Sequence, residues 1–118
     1  MEIITTIIIL CVAILHIYIL ILEMFLWDKP AGLRAFGQNR EQAAASKTLA
    51  ANQGLYNGFL AAGLLWGISQ GDAGFDFKFF FLLCVVIAGL YGGITVNKKI
   101  IFIQALPAII GLIFLILS

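Results

Sequence analysis

The stretch IITTIIILCVAILHIYILIL, residues 3–22, contains no formally charged side chain, and His16 is the chain's one histidine. Glu23 follows it directly, and then Trp27, Asp28, Lys29 and Pro30 close the run. A helix needs ~20 predominantly apolar residues to cross the hydrocarbon core of a bilayer, and this stretch supplies them. Three more runs, 48–71, 79–97 and 100–118, are equally free of charge. The whole chain has a mean hydropathy of +1.10 and only 11% charged residues, far from soluble-protein composition. The expected fold is therefore all-α: an integral membrane four-helix bundle with spans at about 3–27, 49–69, 76–96 and 99–117, forming a single transmembrane domain over 1–118.

The connections refine this layout. An interfacial tryptophan, two charges and a helix-stopping proline coincide at residues 27–30, and PAGLRAFGQN (30–39) reads as a polar loop. Asn39 is a candidate N-cap with Gln42 three residues on, a carboxamide form of the capping box. No breaker separates Arg40 from the second span, so a cytoplasmic helical extension is expected over about 40–48. GDAGFD (71–76) is the next loop, Asn97-Lys98-Lys99 a tight turn, and Pro107 predicts a kink in the last span. The first run fits a cleaved leader poorly, because it follows an acidic Glu2, is too long and lacks a small-x-small site. It is expected to remain as a span.

Charge sets the orientation. Lys29, Arg34, Arg40, Lys47, Lys98 and Lys99 lie on one side, and only Lys78 lies on the other with Glu2, Asp72 and Asp76. By the positive-inside rule the loops 28–48 and 97–99 are cytoplasmic and both termini face outward, in a bacterial inner membrane. A net charge of +1 with seven basic residues gives no nucleic-acid footprint. Cys11 and Cys84 lack metal-ligand spacing and are expected to pack as buried thiols, with no metal and no cofactor implied. There is no nucleophile motif, phosphate-binding loop or haem attachment sequence.

Against so apolar a background the polar residues stand out. At ~1.5 Å per residue, Glu23, Asn52, Gln53, Tyr56, Asn57, Tyr91 and Gln104 all fall in the cytoplasmic half of the spans, with His16 near the midplane. His16 and Glu23 share one stripe, and Asn52, Gln53, Tyr56 and Asn57 share an arc of the second span. Lipid cannot satisfy such groups, so the eight residues are expected to line one interior site. Gly54, Gly58 and Ala62 have the spacing that lets helices approach closely, with Gly89, Gly92 and Gly93 as a candidate facing surface. Bland alternatives exist for each: Glu23 can pair with Lys29 or Arg34 at the headgroups, His16 can make one interhelical bond, and the carboxamides can serve as helix–helix glue.

With these residues assembled, the chain resembles a family of small bacterial membrane proteins catalogued as a domain of unknown function, thirteen-oh-four. The likeness is carried by LEMFLWDKPAGLRAFG (22–37), LAANQGLYNGFLAAGLLWG (49–67) and QALPAIIGL (104–112). It implies the same order of spans and brings no activity with it.

Three functions suit these residues. The first is binding or transport of a small amphipathic or cationic ligand, with Glu23 as the proton or cation site, the carboxamides orienting the ligand, and a homodimer formed through small-residue helix faces. The second is a membrane enzyme, isomerase-like, that moves protons on an isoprenoid, sterol-like or quinone-like lipid, with Glu23 and His16 as candidate catalytic groups. The third is a structural or accessory subunit whose polar cluster only fixes helix register. The orientation has a direct test. In a background lacking Cys11 and Cys84, Gly71→Cys should react with an impermeant thiol reagent in intact cells and Arg34→Cys should not. The reverse labelling would overturn the assignment.

Overall fold

A computed structural model describes residues 1–118. The protein is all-helical. Five α-helices follow in order: α1 (Glu2–Met24), α2 (Pro30–Phe36), α3 (Arg40–Ser69), α4 (Phe75–Thr95) and α5 (Leu106–Leu117). A 3-10 turn, Gly71–Gly74, leads into α4, and a π-helical turn, Ile101–Ala105, leads into α5. Glu2–Met24 and Gly71–Thr95 are each long and apolar enough to cross a membrane, and Ile101–Leu117 is apolar but shorter. The chain forms two compact units, one made of Met1–Ile14 with Leu60–Ser118 and the other of Leu15–Phe59.

In the first unit the core is aliphatic. Leu82, Val85 and Val86 repeat at helical spacing on α4 and meet Ile9, Val12 and Ala13 of α1, Ala61 and Leu64 of α3, and Ala108 and Leu115 of α5. Close approach depends on glycine. A Cβ at Gly89 would lie 2.6 Å from the backbone nitrogen of Ala105, and one at Gly93 would collide with the Ile101 side chain. The kink expected from Pro107 takes the form of the π turn at 101–105. Proline has no N–H to donate and its ring crowds the carbonyl four residues back, and a widened turn removes both conflicts. At the far end Thr5 Oγ1 and Ser118 Oγ lie 2.6 Å apart, and Thr5 also donates to the Phe114 carbonyl at 3.3 Å. The thiols are free but not both enclosed: Cys84 is half-buried, and Cys11 is exposed, on the outer face of α1.

The second unit departs from expectation at the loop. α1 ends at Met24, before the expected 27, because the Leu26 amide bonds the Ile21 carbonyl, five residues back, and turns the chain. Residues 30–36 then form a helix where a loop was expected. Pro30 occupies its first turn, where a missing N–H costs nothing. Gly37 ends it at φ 61°, and the Gln38 amide bonds back to the Leu33 carbonyl. The capping box is present as expected: Asn39 Oδ1 accepts from the Gln42 amide at 2.8 Å, and Gln42 Oε1 accepts from the Asn39 amide at 3.0 Å. From there α3 runs unbroken to Ser69.

Two glycine variants test the packing of the first unit. Gly89→Ala drives a methyl into the Ala105 backbone and should cost about 1–3 kcal/mol through overpacking. Gly92→Ala meets only the Ile100 side chain, at 3.3 Å, and should leave stability nearly unchanged. Thermal melts in one mild detergent decide it, and equal shifts for the two variants would contradict the packing described.

Candidate functional site

Within the Leu15–Phe59 unit α1 and α3 come together where α3 has no side chains. A Cβ at Gly54 would lie 2.6 Å from Met24 Cγ and 3.1 Å from Glu23 Cβ, and one at Gly58 would lie 2.7 Å from Leu20 Cδ1. Gly54 and Gly58 do not face Gly89, Gly92 and Gly93 as expected: their neighbour is α1, and Gly89 and Gly93 pack on the π turn. Ala62 is exposed.

Between those glycines sits Asn57. Its Nδ2 donates to Glu23 Oε1 at 2.6 Å. Glu23 is only 8% exposed and Asn57 is half-buried. Neither Lys29 nor Arg34 forms the ion pair weighed for Glu23, whose partner is a neutral carboxamide. The unit's ion pair lies instead at the connection, where Lys47 Nζ meets Asp28 Oδ2 at 3.0 Å. That hydrogen bond holds the Asp28 carboxyl below its ordinary range. Beside it Trp27 Nε1 donates to Ser46 Oγ at 3.1 Å, and the Trp27 and Phe36 rings pack with centroids 4.7 Å apart. Trp27, read from sequence as a belt anchor, thus also ties the end of α1 to α2 and α3.

The other expected site residues are placed as follows. His16 is fully buried and partnered, on the stripe of α1 that carries Glu23. Gln104, in the first unit, is half-buried and partnered. Asn52 and Gln53 are exposed, as are Tyr56 and Tyr91, at 60% and 71%. Glu23 and Asn57 are therefore joined directly, and Asn52, Gln53, Tyr56 and Tyr91 face outward from the chain. A crevice of about 410 Å³ opens nearby against Asp28, Lys29, Pro30, Arg40 and Ala44. Sequence reading missed the Asp28–Lys47 and Trp27–Ser46 ties. Their signal was available only through α2, whose proline start and glycine stop fix the length of the connection.

The fold and the site define an all-helical protein with two helices of membrane length and a carboxyl group buried against a carboxamide. Residues 10–116 match the family described as "Protein of unknown function (DUF1304)", and the chain belongs to that family. It is 37% identical over 115 residues to the "Uncharacterized protein YpaA" of Lactococcus lactis subsp. lactis (strain IL1403), a likeness covering 96% of this chain and 97% of that protein. No solved structure matches it.

The pair makes a coupling prediction. Asn57→Leu strands the Glu23 carboxyl without its donor and should cost about 1–3 kcal/mol. Glu23→Gln keeps an acceptor and should cost less. The double variant Glu23→Leu with Asn57→Leu should recover most of the loss, because no polar group is then left unmet. Denaturant titrations of these variants and of Glu23→Leu alone measure this, and losses of Glu23→Leu and Asn57→Leu that simply add in the double variant would refute the coupling.

Proposed function

We propose that the chain is a four-helix protein of the bacterial inner membrane that binds, or carries across, a small amphipathic or cationic ligand, with Glu23 as its proton or cation site. Membrane insertion is supported by the four charge-free runs and by the two helices of spanning length. The orientation, with both termini outside and the 28–48 and 97–99 connections cytoplasmic, rests on the distribution of basic residues.

One observation carries the functional reading. The Glu23 carboxyl is almost wholly enclosed and faces Asn57, with no cation beside it. An acid is not needed to hold two helices in register, since a pair of carboxamides would make the same bond without risking a buried charge. What a carboxyl adds is the ability to give up a proton and accept a positive charge. Asn57 aims that group through a bond to one of its two oxygens. His16, two turns along the same stripe of α1, lies on the route such a ligand would take toward the midplane.

Binding of tetraphenylphosphonium, a lipophilic cation, provides the test. Equilibrium dialysis with the detergent-solubilised protein should show binding by the parent chain. Glu23→Gln should weaken it at least tenfold, about 1.4 kcal/mol, while the melting temperature barely moves. Loss of binding only in proportion to loss of fold would leave Glu23 a structural residue.

A further inference from the structure

Four exposed side chains of α3 stand at the spacing of a helix-pairing seam. Leu49, Asn52, Tyr56 and Phe59 fall at i, i+3, i+7 and i+10, the a and d positions of a heptad. Leu49 is 66% exposed, Tyr56 60% and Phe59 57%, and Asn52 and the flanking Gln53 are exposed as well. The Tyr56 and Phe59 rings already lie against each other with centroids 6.1 Å apart. A stripe built this way suits neither solvent. Water penalises the leucine and the two rings, and hydrocarbon cannot satisfy the carboxamides.

A second copy of the same stripe suits it well. A carboxamide carries both a donor and an acceptor, so it is its own complement. In a two-fold pair the same patch meets itself, and an asparagine at one seam position fixes register. An unrelated helix would need a matching amide at the same height. The small-residue faces are not available for this role, because Gly54 and Gly58 are taken up by α1, and Gly89 and Gly93 by the π turn. We propose that two copies of this chain pair in parallel along Leu49, Asn52, Tyr56 and Phe59, with Asn52 bonded to the partner's Asn52. The parallel sense rests on the membrane reading above, since two copies of one sequence follow the same charge rule. The pairing itself does not require Glu23 to bind anything.

Oxidative crosslinking in native membranes tests this directly. In a background of Cys11→Ser and Cys84→Ser, Asn52→Cys should give a disulfide-linked dimer with copper phenanthroline. Ile94→Cys, a control at a position 80% exposed and off the seam, should give at least tenfold less. Native mass spectrometry from mild detergent should find two copies for the parent chain and one for Asn52→Arg, with helix content unchanged by circular dichroism. No crosslink at Asn52→Cys, or equal crosslinking at Ile94→Cys, would overturn the proposal. So would a single parent copy carrying only lipid, or a crosslinked product of a mass other than twice the chain. Asn52→Cys should crosslink equally well with Glu23→Gln added, which separates failure of the pairing from failure of the ligand site.

Discussion

The hydrogen bond from Asn57 to Glu23 is the constraint around which the Leu15–Phe59 unit is arranged. It requires that α1 and α3 meet with almost no side chain between them, and Gly54 and Gly58 supply that gap one turn apart on the face beside Asn57. With larger residues there, Leu20 and Met24 could not sit against the α3 backbone and the carboxyl would lose its donor. The connection between the helices then has to return the chain at a fixed length. α2, the Trp27–Ser46 bond and the Lys47–Asp28 pair accomplish this outside the apolar segments, where charge is cheap.

The strongest features of this arrangement were legible in the sequence because each rests on a local rule. The Asn39–Gln42 box announces the start of α3, and the absence of any breaker after it gives one long helix. Glu23 and Asn57 stood out as polar groups against apolar runs, but their direct bond was not legible, since the partners weighed for Glu23 were Lys29 and Arg34. The outward placement of Asn52, Gln53, Tyr56 and Tyr91 was not legible. Along α3 the polar residues are not gathered on one face, so polarity does not say which side is inside, and steric detail at the glycines decides it. The π turn was hidden for a related reason: Pro107 announces a distortion, and only the packing of Gly93 and Gly89 on Ile101 and Ala105 selects its form. The helix over 30–36 was passed over, since seven residues with a proline first and a glycine after also read as a polar loop.

Taken together, the proposed ligand site and the proposed pairing seam divide the polar residues of α3 between two tasks. Asn57 turns inward to one carboxyl, and Asn52 turns outward to a copy of itself, five residues and somewhat more than one turn away.

The central claim is that the Glu23 carboxyl exchanges its proton or takes up a cation while Asn57 holds it. Infrared difference spectroscopy of the protein in lipid, with and without tetraphenylphosphonium, reads that group directly. The account predicts a carboxyl band that changes on cation addition, is absent in Glu23→Gln and is displaced in frequency in Asn57→Leu. A carboxyl difference band that persists unchanged in Glu23→Gln would contradict it.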